Sequence, residues 1–393
     1  MKAVCNQADL AKGLSIVSRV VKKSSLLILE NILISTRADK IVLTGTNLGT
    51  SVTVSIDADV EEQGRITIPH KIFTAVVRSL PKDRVVLSVD YKKMSLGIVT
   101  QNSRSTLMGL DALNFPGVTM LNDCEHGATS SDIEFAAPAA QLLSALKSVM
   151  VASSTDQYRP TLNSVELKLD KLSYISLVAT DGFRLTRDIV TVDYEFPFES
   201  TFLVPINEVK QLVHAASDID PESSITISHQ GQWVFFAAHG ATRKNAGNIR
   251  SIEMVASEVD ATYPKYESII PKEYTSFFEI SKTELLRAVR VSNRFTKDRR
   301  NYTEIAVNSK EKIITIESES TERDEFRAKF DAEAKADARV RFNGQYLVDA
   351  LNHIDAPVVQ IKIVSALKPF AVCDPRPERE NFLHLIMPVY TPE

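Results

Sequence analysis

The sequence predicts an α+β protein made of three tandem copies of one unit, each with two helices and antiparallel strands. Short segments such as residues 51–56 and 360–363 alternate apolar and polar side chains, as half-buried strands do. An apolar stripe with helical spacing occurs three times along the chain. Its members are Leu10, Leu14, Val17 and Val21, then Leu142, Leu146 and Val149, and finally Leu285, Val289 and Ser292.

Other features recur with the stripes. A strand end precedes each first helix, at Ala3, Phe135 and Phe278. A second helix follows in each copy after a strand end, and Pro69 and Pro205 lie where a missing backbone N–H costs least. The period of roughly 135 residues is far too long for a solenoid. We therefore predict three domains, at residues 1–126, 127–271 and 272–393, with linkers near residues 122–132 and 271–276.

Composition excludes several classes of protein. The 393 residues are 44% hydrophobic and 24% charged, which is unlike a collagen, a disordered chain or a coiled coil. A net charge of −4 argues against a uniformly basic nucleic-acid binder. The three cysteines, Cys5, Cys124 and Cys373, form no close pair, and no secretion signal or membrane span is evident. We expect a soluble, cytoplasmic protein without membrane partners.

The basic residues cluster on the helices. On an ideal helix Lys12, Arg19 and Lys23 lie opposite the first apolar stripe, and Arg287 and Arg294 repeat two of these offsets from Leu285. For one helix, a solvated face is the more common explanation of such a pattern. The six predicted helical segments together carry +9, which leaves −13 on the rest of the chain. If all six faced one surface, that surface would attract phosphates without reading base sequence.

Catalytic motifs are absent from the sequence. It contains no Walker-type loop, no GxGxxG and no GxSxG, and the Ser-x-x-Lys occurrences lack companion motifs. Its seven histidines form no His-x-x-x-His pair, and there is no Cys-x-x-Cys. We therefore predict a non-enzymatic protein that needs no cofactor or metal.

Several motifs, in order along almost the whole chain, resemble the DNA polymerase III beta subunit family, the bacterial sliding clamps. They are LENIL at 29–33, LTGTNL at 43–48, FP at 115–116, VATDGFRL at 178–185, YPKY at 263–266 with IIP at 269–271, SN at 292–293, FN at 342–343, YLVDAL at 346–351 and LIMP at 385–388.

The resemblance implies the DNA clamp fold and a head-to-tail homodimer, a ring that encircles double-stranded DNA and gives the replicative polymerase its processivity. Strands would pair across the subunit interface, and helices would line the hole. The candidate DNA-facing residues are Lys12, Arg19, Lys23, Arg78, Lys147, Lys210, Arg287, Arg290 and Arg294.

The resemblance also implies an apolar cleft that receives short extended peptides from the polymerase catalytic subunit, the clamp loader and other partners. The matching residues are Leu162, Thr180, Gly182, Phe183, Arg184, Leu185, Pro264, Ile269, Leu367, Pro369, Ile386, Met387, Pro388 and Val389. The chain departs from the family at Phe183, where His is common, at Ser268, where a basic residue is frequent, and at Tyr390, where Arg is usual. These departures leave the peptide preference open.

Three alternatives remain at the level of sequence. One is a specialised clamp paralogue that keeps the ring but binds different peptides. Another is a nucleic-acid-processing enzyme on the same scaffold, which the lack of a metal cluster disfavours. The last is a static DNA-binding protein, which would bind linear DNA tightly instead of slipping from its ends.

Overall fold

A computed structural model describes residues 1–117, 133–239, 249–295, 302–319 and 325–390. The predicted linker at 122–132, Cys124, Lys297 and residues 391–393 lie outside these ranges. In the described part, no helix is both long and apolar enough to cross a membrane.

Each predicted copy contributes two α-helices to the described structure. They are α1 (Gln7–Val17), α2 (His70–Ser79), α3 (Ala139–Val149), α4 (Ile206–Ala215), α5 (Lys282–Phe295) and α6 (Gly344–His353). As predicted, Phe135 and Phe278 lie in the strands that precede α3 and α5; both are buried. Asn343 caps α6 because its side chain accepts a hydrogen bond from the backbone N–H of Gln345 at 3.0 Å.

The strands of the first two copies alternate with these helices. They are β1 (Lys2–Asn6), β2 (Asn31–Arg37), β3 (Lys40–Thr46), β4 (Thr50–Asp57), β5 (Asp59–Glu62), β6 (Arg65–Pro69), β7 (Arg84–Asp90), β8 (Ser95–Val99), β9 (Arg104–Met108), β10 (Ile133–Pro138), β11 (Ser164–Asp170), β12 (Tyr174–Thr180), β13 (Arg184–Thr191), β14 (Ser200–Pro205), β15 (Ser224–Gln230), β16 (Trp233–His239) and β17 (Ile249–Ser257).

The third copy follows the same order. Its strands are β18 (Ser276–Ser281), β19 (Thr303–Asn308), β20 (Ile313–Glu319), β21 (Glu325–Asp331), β22 (Ala338–Phe342), β23 (Val358–Ile363), β24 (Phe370–Cys373) and β25 (Leu383–Ile386). The segments 51–56 and 360–363, predicted as strands from their alternation, lie within β4 and β23.

The chain forms two compact units. The first consists of Met1–Leu143, Val192–Tyr194 and Asn207–Asp260, and the second of Ser144–Thr191, Glu195–Ile206 and Ala261–Glu393. The first unit holds a sheet of order β5-β1-β7-β8-β9 and a longer one of order β10-β15-β16-β17-β4-β3-β2-β6. The second holds β14-β11-β12-β13-β25-β24-β23-β18 and a four-stranded sheet, β21-β20-β19-β22.

Each eight-stranded sheet joins strands from two successive copies. Antiparallel pairing of β4 with β17 makes the first junction, and pairing of β13 with β25 makes the second. The three repeats therefore form two compact units, and the predicted domain boundaries at residues 126 and 271 stay a prediction.

Close backbone approach explains how α1 lies on its sheet. A Cβ atom at Gly45 of β3 would stand 2.8 Å from a Val17 methyl carbon, and one at Gly13 would stand 2.9 Å from a Leu43 methyl carbon. Glycine at both positions leaves room for these methyl groups, so helix and sheet approach closely. Leu10, Leu14 and Val17 are fully buried against this surface.

One helix prediction was wrong in its extent. The sequence indicated a helix from residue 9 to residue 23, but α1 ends at Val17. Val21 is nevertheless buried, although it lies beyond the helix. An apolar residue at helical spacing therefore indicates burial at this position but not helical backbone.

Candidate peptide groove and basic helix surfaces

The candidate groove is built where β13 meets β25, inside the second unit. Arg184 pairs with Ile386 and Leu185 pairs with Leu385 across these strands. Beyond the paired residues, the N–H of Met387 donates to the carbonyl oxygen of Phe183 at 2.9 Å. This ladder holds the turn before β13 beside the segment after β25.

The turn at residues 180–184 presents Phe183 to solvent. The hydroxyl of Thr180 donates to the carbonyl of Arg184 at 2.7 Å, and Oδ1 of Asp181 accepts from the N–H groups of Phe183 and Arg184. Gly182 has φ +91°, a conformation that strongly favours glycine. Phe183 is consequently held at the apex, 61% exposed.

Arg184 connects this turn to α6. Its Nε donates to Oδ2 of Asp181 at 3.0 Å, and its Nη1 donates to Oδ2 of Asp349 at 2.5 Å. The guanidinium also lies 4.6 Å from the ring centroid of Tyr346. Because its side chain is only 12% exposed, Arg184 supports the groove and offers little surface of its own.

The opposite wall follows β25. Pro388 forms a bridge with Phe342, and the N–H of Val389 donates to the carbonyl of Arg341 at 2.7 Å. Leu367, on the loop before β24, is 66% exposed, and Val389 is exposed beside it. A row of apolar side chains therefore stands on a hydrogen-bonded backbone.

The segment before β18 carries the predicted cleft residues Pro264 and Ile269, and its Tyr263 lies close to the backbone at the end of β12. Tyr263 and Tyr266 are buried and pack edge to face, with ring centroids 6.2 Å apart. Burial raises the pKa of Glu166, although a hydrogen bond from Tyr266 opposes the shift. Anchored in this way, the segment leaves Pro264 and Ile269 exposed.

Beneath the groove, the polar side chains of Thr186, Asp188 and His384 are buried. Nδ1 of His384 is hydrogen-bonded to the hydroxyl of Thr186 at 2.6 Å. Burial, reinforced by the charge of Arg184, lowers the pKa of His384 to about 3. Arg379 donates to Asp188 at 2.7 Å, yet burial still raises the pKa of that carboxyl group. Nε2 of His384 has no hydrogen-bond partner among the described residues, so a hydrogen bond holds the ring at Nδ1 alone.

All fourteen residues of the predicted cleft lie in the second unit, but they do not share one role. Exposed members are Gly182, Phe183, Pro264, Ile269, Leu367 and Val389. Half-buried members are Leu162, Arg184, Met387 and Pro388. Buried members, which form the wall from behind, are Thr180, Leu185, Pro369 and Ile386.

Sequence reasoning missed the partners of Arg184. Tyr346 and Asp349 stand three residues apart in the YLVDAL motif, a spacing that places both on one face of α6. This spacing could have indicated that Tyr346 and Asp349 act together. Only the fold shows that this face meets the turn at Arg184.

The basic residues of the first unit gather around α1 and α2. Nε of Arg19 donates to the carbonyl of Ser15 at 3.2 Å, and Nη2 of Arg78 donates to the Ser15 hydroxyl at 3.3 Å. Two cations from different segments thus lie close together. Lys12 is half-buried, whereas Lys23 and Lys210 are exposed.

In the second unit, α5 and α6 lie side by side. Arg287, Arg290 and Arg294 are exposed on α5, and Nη2 of Arg290 donates to the side-chain oxygen of Asn352 on α6 at 2.9 Å. Lys147 is exposed on α3. The prediction that these cations oppose the apolar side of their helices agrees with the buried Leu285, Val289 and Ser292.

The helix charge count needs correction. Arg19 and Lys23 lie beyond α1, and Lys297 lies outside the described residues. Over their observed ranges the six described helices carry 0, +2, +1, 0, +3 and −1, a total of +5 instead of +9. The helices still carry a net positive charge. Arg19 and Lys23 add to it from the segment that follows α1.

The described ranges contain no group of three or more His, Cys, Asp or Glu side chains arranged to hold a metal ion.

Family models of known proteins match almost the whole chain. Models of the DNA polymerase III beta subunit match the chain three times: its N-terminal domain at residues 1–120, its central domain at 137–265 and its C-terminal domain at 267–390. The order of the three matches along the chain is that of the resemblance noted in the sequence.

Curated relatives and solved structures agree. The chain is 23% identical to the beta sliding clamp of a Synechocystis strain, over 94% of each chain. It is 24% identical to the beta sliding clamp homolog GriR of Streptomyces muensis, over 91% of this chain and 89% of the relative. The DNA polymerase III beta subunit of Pseudomonas aeruginosa shares its fold, with a TM-score of 0.87 at 21% identity over all of both chains. The chain therefore belongs to the DNA polymerase III beta subunit family.

Proposed function

We propose that this chain is a replicative sliding clamp, two copies of which close around duplex DNA and tether the polymerase to it. The observation that carries the proposal is that the same kind of strand junction occurs twice within the chain. The two strands that could form a third such junction lie at the ends of their sheets in the described structure. As a family member it is a non-catalytic processivity subunit.

Each junction joins the same two positions of the repeat. The last strand of one copy, β17 or β25, pairs with the fourth strand of the preceding copy, β4 or β13. The corresponding strands left over are β9, in the first copy, and β21, in the third. Among the described strands, both stand at the ends of their sheets.

Open strand edges invite pairing with another chain. A β9–β21 junction between two copies would be the third use of one interface, and two such junctions related by a twofold axis would close the assembly. Met108, 64% exposed in β9, would then be covered. Repetition of one interface therefore supports the head-to-tail homodimer.

The exposed cations fit attraction to DNA that does not depend on base sequence. We assign the DNA-facing role to the nine predicted residues, of which all but Lys12 are exposed. Mobile lysine and arginine side chains that attract phosphates are suited to sliding, because they do not select one position along the duplex. The cytoplasm is the compartment this role requires.

The groove of the second unit fits a short extended peptide. Exposed apolar groups at Phe183, Ile269, Leu367 and Val389 stand on backbone that is already hydrogen-bonded, so binding needs little ordering of the protein. We propose that peptides from the polymerase, the clamp loader and other partners dock here. Which peptides are preferred decides between a housekeeping clamp and a specialised paralogue, and 24% identity to GriR does not separate them.

Light scattering during gel filtration tests the assembly. We expect a particle of about twice 43.6 kDa. Met108→Asp should shift it towards monomer, because a carboxylate would be buried at the new junction. Leu172→Asp, at an exposed apolar residue in the β11–β12 turn, is the matched control and should stay dimeric.

Topology tests the sliding function. Protein loaded by its cognate clamp loader onto nicked circular plasmid should stay with the DNA through gel filtration and be released once the plasmid is cut. A strict monomer at micromolar concentration, or equal retention on linear and circular DNA, would overturn the proposal.

A further inference from the structure

A second cavity continues the candidate groove past Val389. It has a volume of about 410 Å³ and is bounded by Arg339 and Arg341 of β22 on one side and by Leu367, Val389 and Tyr390 on the other. Leu367 and Val389 therefore face both the groove and this cavity. We call the cavity the basic annex.

Strand alternation places its two arginines together. Residues 339 and 341 lie on the same face of β22, whereas Val340 between them is fully buried in the core. The side chain of Arg339 is 63% exposed and that of Arg341 is 35% exposed. A pair of cations two residues apart on one strand presents a single charged face.

Glu304 orients both guanidinium groups. Its two carboxylate oxygens lie 3.0 Å from Nε of Arg339 and 2.6 Å from Nε of Arg341, and its side chain is only 8% exposed. The ring of Tyr302 supports Arg341, with its centroid 4.8 Å from the guanidinium carbon. On their other side the two arginines line a cavity together with Glu317, Glu325 and Arg327, so the positive charge is unbalanced only on the side that faces the annex.

Among the described residues, no acidic side chain lines the annex itself. An anion entering it would meet arginines that are already held in place, so it would lose little affinity to side-chain ordering. Its other wall is apolar and joins the groove. This combination fits the side chains of an extended peptide better than a phosphate backbone, which would gain nothing from Leu367 and Val389.

We propose that the basic annex selects partner peptides that carry an acidic residue next to their apolar anchor. The inference rests on the proposed function, because the apolar anchor is taken to occupy the groove. The carboxylate pairs with Arg339 and Arg341, and the neighbouring backbone crosses Leu367 and Tyr390.

Fluorescence anisotropy with synthetic peptides tests it on the full-length protein. The probes are a family-type clamp-binding peptide extended by Asp-Asp at its N-terminal end or at its C-terminal end, with Asn-Asn extensions as uncharged counterparts. One Asp-Asp peptide should bind about 5-fold more tightly than its counterpart, the value expected for a partly exposed, charge-assisted contact. Raising NaCl from about 50 to about 300 mM should reduce that ratio.

Charge reversal assigns the effect to the annex. Arg339→Glu should abolish or invert the preference for Asp-Asp while the Asn-Asn peptides bind as before. Lys171→Glu, which makes the same charge change at an exposed residue outside the annex, should keep the preference.

Failure of this inference can be told apart from failure of the groove. Equal binding of Asp-Asp and Asn-Asn peptides, with both weakened by Met387→Ala, would overturn the annex and leave the groove in place. Binding that ignores Met387→Ala would overturn both. Loss of DNA retention in Arg339→Glu without any change in peptide preference would overturn the inference in favour of a phosphate contact.

Discussion

The groove and the basic helix surfaces differ in how firmly their side chains are held. Around the groove, Arg184, Asp181 and Asp349 form a network that is only partly open to water, and backbone hydrogen bonds hold both walls. On the helices, cations such as Arg287 and Lys210 stand exposed on short amphipathic elements. The first region is organised before any ligand arrives, whereas the second presents charge on exposed side chains.

This difference matches what each region is proposed to bind. A peptide is recognised at fixed positions, so rigidity of the site improves affinity. A duplex that must slide is better served by attraction without fixed geometry. Substitutions at the two regions should therefore fail in different ways.

The largest effect is expected at the network. Arg184→Ala removes the cation that faces both Asp181 and Asp349 and leaves two partly buried carboxylates without that cation. We expect the free energy of unfolding to fall by about 2 to 4 kcal/mol and peptide affinity to fall with it. Urea denaturation and peptide anisotropy measure the two. Arg287→Ala, at an exposed arginine, is the control, and comparable losses in the two variants would contradict the contrast.

The second-largest effect is expected from acid, which should lower the stability of the protein by protonating His384 beneath the groove. The pKa of His384 is about 3 in the folded protein, below the ordinary 6.5, so the unfolded chain takes up a proton that the folded one refuses. Stability from this group is complete above pH 6.5 and is lost as the pH falls towards 3, by about 2 to 3 kcal/mol at pH 4.5.

Urea midpoints at about pH 7.5 and about pH 4.5 measure this loss. His384→Gln, which does not titrate, should flatten the difference between the two pH values relative to the unaltered protein. Arg184 and His353 contribute to the same shift, so each variant is compared at both pH values. Equal pH dependence with and without His384 would contradict the assignment.

Removal of helix cations should give a smaller effect of another kind. The double variants Arg19→Ala/Arg78→Ala and Arg287→Ala/Arg290→Ala should each weaken DNA binding by about 1 kcal/mol or less per residue. The slope of log affinity against log salt should become shallower by about 0.9 for each phosphate that the variant no longer neutralises. Salt titrations of DNA binding measure this, and a change in peptide affinity would show that the two regions are coupled.

The smallest effect is expected at the apex of the groove. Phe183→His places the residue common in the family on a turn whose backbone bonds do not involve the side chain. Because Phe183 is largely exposed, stability should change by less than about 0.5 kcal/mol. Peptide affinity should change by roughly 3-fold and differ between peptides. An equal change in affinity for every peptide would show that Phe183 does not determine which peptide is preferred.

Repetition made much of the fold predictable. The apolar stripes around Leu10, Leu142 and Leu285 predicted α1, α3 and α5, because a helix that covers a sheet must bury the same positions in every copy. Pro69 and Pro205 marked the starts of α2 and α4 for a reason confined to the backbone. The end of α1 was not predictable in this way, since Val21 is buried without being helical.

The candidate site was less predictable. Motifs supplied its residues through family resemblance, but not the separation into exposed Phe183 and Leu367 and supporting Arg184 and Ile386. Nor did any motif indicate the arginines of the basic annex. Pairing between β13 and β25 brings together segments that are distant in sequence, and local patterns carry no information about such a register.

By itself, the sequence determined the repeated unit, the types of its elements and the excess of positive charge on its helices, because these follow from periodicity and composition over short windows. The tertiary structure decided that the copies join strand to strand, that β9 and β21 end their sheets among the described strands, and that Arg184 is enclosed while Phe183 is presented. Those outcomes depend on hydrogen bonds and burial between distant segments, which exist only once the chain has folded.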